Sequence, residues 1–125
     1  MYLCAAMMNV EELRDYCLSI GTDVEERLPF VKFKGGDTVL VIYVCGHMFC
    51  YFDIEHLDVI TIKCQPDRIP ELKESHEWIV KPYNASPKHW IGLQMPQADT
   101  RLTKELIRNS YEIVKKKYGT KSHPH

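Results

Sequence analysis

Val10, Leu13, Cys17 and Ile20 recur at three- and four-residue spacing, which puts them on one face of a helix. Asn9 stands just ahead of them with Glu12 three residues on, the spacing of a capping box, and Gly21 suits the C-terminal stop. The pattern predicts a helix over 10–20. From 28 to 64 the period drops toward two. Residues 30–34 alternate, Gly35-Gly36-Asp37 turns the chain, and 38–45 is rich in β-branched residues. Gly46-His47 is short enough for a hairpin turn, and 48–53 returns. Residues 58–64 predict a further strand, with Ile60, Ile62 and Cys64 on one side and Val59, Thr61 and Lys63 on the other.

Pro66 suits the first turn of a second helix that faces Ile69 and Leu72 inward, with Pro70 inside that turn. Residues 78–83 and 89–95 predict two more strands joined by 84–87. Asp99 or Thr100 caps a last helix running to about Tyr118, with Leu102, Leu106, Ile107, Ser110, Ile113 and Val114 as its inner stripe. Lys115-Lys116-Lys117 falls at the end where cations suit the helix dipole. The order is helix, four strands, helix, two strands, helix. Short connections favour antiparallel pairing. The expected fold is an α+β two-layer sandwich, an antiparallel sheet of about six strands with three helices packed on one face. Residues 9–119 form a single domain, 1–8 an N-terminal extension with Met8 as an alternative start to Met1, and 120–125 a loose tail.

A turn at Gly46-His47 would pair 45 with 48 and 43 with 50. One face of the hairpin then carries Leu40, Ile42, Val44, Phe49 and Tyr51, and the other Val41, Tyr43, Cys45, Met48, Cys50 and Phe52. Both are apolar. In a two-layer fold one of them meets solvent or a partner, so the Val41/Tyr43/Met48/Phe52 face is expected to support self-association.

Charge sharpens the picture. The 125 residues carry a formal net charge of −1, but residues 1–78 hold 7 Lys or Arg against 14 Asp or Glu, and residues 79–125 hold 9 against 3. A near-neutral total conceals an acidic first part and a basic second part, which bears on partners. The five cysteines (4, 17, 45, 50, 64) are odd in number and lack disulfide-like spacing, which points to reduced thiols and a cytoplasmic protein. The apolar N-terminus lacks the basic start of a signal peptide, and no run approaches the ~20 apolar residues that span a bilayer. No membrane association is expected.

The basic part opens with Lys88-His89-Trp90 at the start of a strand. Indole and imidazole rings stack on bases, and lysines meet phosphates. With Lys63 and Lys81 on neighbouring strands, and Arg101 or Arg108 steering from the last helix, these residues are the candidate nucleic-acid contacts. The bland alternative has Trp90 in the core and the helix lysines solvated. Cys45, His47 and Cys50 match no zinc spacing, and no metal site is expected. Asp53, Glu55, His56 and Asp58 flank one loop, and His76-Glu77 precedes Trp78. Neither set comes with a nucleophile and an oxyanion donor. Glycine-rich phosphate loops, Gly-x-Ser-x-Gly and His-Glu-x-x-His are absent from the sequence. A non-enzyme without cofactor is expected.

Several short stretches, taken in order, resemble the MmcQ/YjbR family of small bacterial proteins. They are residues 9–17, Val44-Cys45-Gly46-His47-Met48-Phe49, Ile62-Lys63-Cys64-Gln65-Pro66, Lys88-His89-Trp90, and Leu106-Ile107-Arg108-Asn109-Ser110-Tyr111. The resemblance spans about Met8 to Gly119. It implies a frataxin-like (CyaY-like) α+β fold and a DNA-binding role on a double-wing surface. The family commonly carries Asn-Lys, one further residue, then His-Trp. Here Ser86-Pro87 replaces Asn-Lys, and the lysine comes one place later at Lys88. The other reading is a protein- or small-ligand-interaction domain that uses the apolar sheet face and binds no nucleic acid.

Overall fold

The computed structural model describes residues 8–34 and 36–119. The extension over 1–7 and the tail over 120–125 lie outside the described residues, whereas Met8 is buried in the core. Helix α1 (Val10–Ser19) starts with the capping box read from its sequence: the Glu12 N–H donates to Asn9 Oδ1 at 2.8 Å and the Asn9 N–H to Glu12 Oε1 at 3.1 Å. Strands β1 (Val24–Arg27), β2 (Val39–Val44), β3 (His47–Asp53) and β4 (Val59–Lys63) follow. Then come α2 (Ile69–Ser75), β5 (Ile79–Val80), β6 (Trp90–Gln94) and α3 (Thr100–Val114), which Asp99 caps. A five-residue π-helical turn, Lys115–Gly119, ends the described chain.

The six strands form one sheet in the order β1-β2-β3-β4-β6-β5, antiparallel throughout. Leu13 and Cys17 of α1, Ile69 and Leu72 of α2, and Leu106, Ile107 and Val114 of α3 share a single apolar cluster with one face of that sheet. The molecule is therefore the expected α+β sandwich, with three helices on one face. Each fully buried Leu or Ile contributes roughly 1.5–3 kcal/mol, so this one-sided core outweighs any single surface contact.

Two expectations fail at the start of the sheet. Residues 30–34 are not a strand. Pro29 supplies no N–H, and the chain runs through successive turns with the Phe33 N–H on Phe30 O and the Gly36 N–H on Phe33 O. The first strand lies earlier, at Val24–Arg27, where the consecutive charges of Glu25-Glu26-Arg27 hid it: Glu25 and Arg27 share a face with Tyr43 and Val41, and the Arg27 guanidinium sits 5.1 Å from the Tyr43 ring centroid. Likewise the strand expected over 78–83 shrinks to Ile79–Val80.

The hairpin also pairs differently. Its turn is Cys45-Gly46, both at positive φ (55° and 76°), so Val44 pairs with His47 and Tyr43 with Met48. Ile42 then pairs with Cys50, leaving Phe49 as an extra residue in a β-bulge. The bulge exchanges faces beyond it. Cys50 and Phe52 join Leu40 and Ile42 in the helix-side core, and Tyr51 goes to the opposite side. The self-association face is thereby corrected: Phe52 lies in the core and Val41 is fully buried, leaving only Tyr43 and Met48 of that set accessible. Four residues do not make one surface there.

The C-terminal turn is tied to the β1 approach. The Tyr111 hydroxyl donates to Asp23 Oδ1 at 3.0 Å, and the Lys115 ammonium pairs with the same carboxylate. Lys115, and then Tyr111, hold the Asp23 carboxyl below its ordinary value near 3.8, against the opposing effect of partial burial. A carboxyl depressed in the folded state stabilises it above the unfolded pKa, and that contribution disappears as pH falls through the folded one. The stability difference between the wild type and Asp23→Asn is expected to be full at neutral pH and to shrink below the ordinary value near 3.8. Urea denaturation at a series of acidic pH values checks this.

Candidate nucleic-acid interface

Alternation along β6 buries Ile91 and Leu93 among the helices, and so sends Trp90, Gly92 and Gln94 to the uncovered face. The same parity on β4 puts Val59, Thr61 and Lys63 there. Lys63 and Trp90 are direct partners across the β4–β6 ladder. The Lys63 ammonium stands 5.5 Å from the Trp90 ring centroid, within cation–π range, and the Tyr51 ring lies 6.1 Å away at a 52° tilt. Trp90 is half-buried and lies outside the helix-side core, so the reading that put it in the interior fails.

Lys63 is held from behind. The β3–β4 ladder pairs Cys50 with Ile62 and Tyr51 with Thr61, but the bulge at Phe49 interrupts it next to Lys63. The Ser110 hydroxyl of α3 fills the gap, accepting from the Lys63 N–H at 2.9 Å and donating to Phe49 O at 2.5 Å. Its neighbour Asn109 exchanges two amide hydrogen bonds with Gln65, at 3.0 and 2.9 Å. Asn109-Ser110 thus fixes both sides of the Lys63–Gln65 segment from the opposite face.

The loop after β5 folds over the uncovered face. Its Tyr83 N–H donates to Thr61 Oγ1 at 3.3 Å, and the Tyr51 hydroxyl donates to Tyr83 O. Gly92 makes room for it: a Cβ at that position would lie 2.6 Å from Lys81 O. Between this loop and the strands lies a groove of about 570 Å³, bordered by Val39, Val59, Val80, Tyr51 and Tyr83, with Asp53 and Asp58 among its polar groups.

Of the seven residues singled out by sequence, Lys63 and Trp90 meet directly. Lys81 is exposed on the loop wall, its carbonyl against Gly92, two residues on from Trp90. Lys88 and His89 are exposed on the turn that enters β6, where the Trp90 N–H donates to Ser86 O at 3.0 Å. Arg101 and Arg108 do not join the cluster. Both are exposed on α3, which packs on the other side of the sheet; Arg108 faces Glu112 at 3.8 Å, and Arg101 is about 10 Å of helix rise away. Tyr51, Thr61 and Tyr83 belong to the site and were not singled out. Their signals were the period-two pattern of β4 for Thr61, and for the tyrosines a bulge and a loop contact that pattern does not carry. The Cys45–Cys50 segment disperses its ligand types: Cys45 is exposed, His47 stacks on Tyr118 at 3.4 Å, and Cys50 is buried. No group of three or more His, Cys, Asp or Glu among the described residues is arranged to hold a metal ion. Nor is any helix among them long and apolar enough to cross a membrane.

The fold and these contacts define a small α+β domain, and its family is shown by comparison. The YjbR family model matches residues 22–113, and the chain belongs to that family. A solved structure of Deinococcus radiodurans protein DR2400, with a DUF419 domain, is 30% identical, with a TM-score of 0.77, covering 92% of this chain and 84% of that one. A structure of a Pseudomonas syringae protein has a TM-score of 0.68 at 20% identity, covering 85% of this chain and 98% of that one, and speaks to the fold alone. No curated protein matches.

Proposed function

We propose that this YjbR-family domain is a non-enzymatic DNA-binding module whose platform is the Lys63–Trp90 pair. The observation that carries the reading is the placement of an ammonium and an indole in register on the sheet face that the helices leave uncovered. Exposed Lys81, Lys88 and His89 come from the loop and turn beside that pair. Phosphates would displace counterions at the lysines while a base stacks on the indole, with little base readout. A ring platform on a sheet suits unstacked bases, so a single strand should bind more tightly than a duplex. Arg101 and Arg108, on the far side, can act only through the long-range field. The helices-on-one-face arrangement supports a frataxin-like reading of the domain, and the four free cysteines among the described residues support a reducing, cytoplasmic setting.

Fluorescence anisotropy of a labelled single-stranded oligonucleotide, titrated at 50 to 200 mM salt, tests the proposal. Affinity is expected to fall steeply with salt. Lys63→Ala and Lys88→Ala should each flatten the log–log slope by about 0.7. Trp90→Ala should weaken binding by about 1–3 kcal/mol, the usual worth of one stacked base, with circular dichroism confirming its fold. Absence of binding at 50 mM salt, or affinity indifferent to both Lys63 and Trp90, overturns the proposal.

A further inference from the structure

We propose that the groove on the uncovered sheet face is a binding site for a small organic ammonium compound with an apolar body. This inference is independent of the DNA reading. Strand parity puts the Val39 and Val59 side chains on this face, and Val80 pairs with Gly92 beside them. Together with the Tyr51 and Tyr83 rings they border a cavity of about 570 Å³. That is within the range of small-molecule sites, and its mainly apolar wall with a few polar groups has their composition. The loop wall is preformed, because Tyr83 is pinned through both its N–H and its carbonyl to Thr61 and Tyr51.

Charge selects the ligand. Asp53 is fixed by the Thr38 hydroxyl at 2.7 Å and the Glu55 N–H at 2.9 Å. Burial would raise its pKa, but these donors, with His56, bring it below the ordinary carboxylate value, so it stays ionised. Asp58 also borders the groove, and its carboxylate has no ion pair among the described residues. His56 and Lys81 are the basic groups bordering the groove: the His56 Nδ1 lies 3.7 Å from Asp53 at an exposed position, and Lys81 is displaced along the strands from Asp58. Asp58 precedes Val59, which pairs with Gln94, whereas Lys81 follows Val80, which pairs with Gly92. With the Lys81 carbonyl against Gly92, their backbones are separated by about 10 Å along the strands at ordinary strand rise. Among the described residues, Lys81 forms no ion pair with Asp53 or Asp58.

A cation entering the groove gains the Asp53 carboxylate on this face, the exposed Asp58 at its border and the ring faces. An anion meets repulsion, and a neutral apolar molecule strips water from the carboxylates without replacing it. The same carboxylates make this end a poor seat for phosphates, so the groove and the Lys63–Trp90 platform need different occupants.

The test is titration of the full chain with three probes sharing one ring: benzyltrimethylammonium, benzyl alcohol and benzoate. Amide shifts in ¹H–¹⁵N spectra report the site. Benzyltrimethylammonium is expected to move Val39, Val59 and Tyr83 saturably, and the other two to bind at least tenfold more weakly. Asp58→Asn, an exposed change that should not disturb folding, is expected to weaken the ammonium at least fivefold. Val59→Arg should abolish it. Equal binding of benzoate or benzyl alcohol, no saturable shift with benzyltrimethylammonium, shifts confined to other residues, or an Asp58→Asn variant that binds as the wild type does would each overturn the proposal.

Discussion

Ser110→Ala is expected to destabilise the domain by about 2–6 kcal/mol, because removing one hydroxyl orphans two buried backbone groups. Loss of a partner costs roughly 1–3 kcal/mol for each group left unsatisfied, and here the Lys63 N–H and the Phe49 carbonyl both lose theirs. Ser110 is fully buried, so bulk water cannot reach them. Neither strand can supply a substitute, since the bulge at Phe49 holds the ladder open at this rung. The result should appear as a lower denaturation midpoint with an unchanged m-value. Faster hydrogen exchange at the Lys63 amide would localise it. A Ser110→Ala protein as stable as the wild type would mean that the hydroxyl does not bridge the strands. The effect also reaches the proposed interface, since Ser110 fixes the backbone from which Lys63 projects toward Trp90.

Ser110 shows where reading the chain succeeds and where it stops. Its place on the inner stripe of α3 was legible from helical spacing. Its partners were not, because 47 and 61 residues separate it from Lys63 and Phe49. Local chemistry was readable where both partners are near in sequence, as with the Asn9–Glu12 capping box. Strand β4 was readable because the polar Thr61 and Lys63 marked its outer face. The central hairpin was not. Apolar residues occupy both its faces, so no misplaced polar side chain betrays a one-residue slip, and a bulge leaves no trace in such a pattern. Tyr51 was consequently assigned to the wrong face, and with it one wall of the groove. Lys63 and Trp90 were named separately for their chemistry, but their direct pairing is a property of sheet order: β6 inserts beside β4 although α2 and β5 lie between them in the chain. Arg101 and Arg108 illustrate the converse. Charge asymmetry grouped them with the basic residues of the sheet, and the two-layer architecture puts them on the opposite side.

Gly92→Ala is expected to destabilise by a net ~1–2 kcal/mol and to loosen the loop that walls the groove. The new methyl would stand 2.6 Å from the Lys81 carbonyl oxygen, 3.0 Å from Val59 Cγ1 and 3.2 Å from Val80 Cγ2. The first of these contacts is with backbone, which cannot rotate aside, so β5 and its loop must move outward. Overpacking of this kind costs about 1–3 kcal/mol, offset by the ~0.4–1 kcal/mol that alanine recovers by restricting the unfolded chain. An outward shift stretches the Tyr83 N–H bond to Thr61, already long at 3.3 Å, and pulls Tyr83 O away from the Tyr51 hydroxyl. Hydrogen exchange at the Tyr83 amide should therefore accelerate more than exchange at Ile62 in the central ladder. Uniform acceleration of both amides would show a global loss of stability without loop release. Lys63 and Trp90 pair on the other side of Gly92, and the Lys63 backbone is held by Ser110 of α3, so the proposed groove site should lose its ammonium ligand while the proposed DNA platform keeps its geometry. A Gly92→Ala protein that lost DNA binding and kept the groove intact would reverse that assignment of roles.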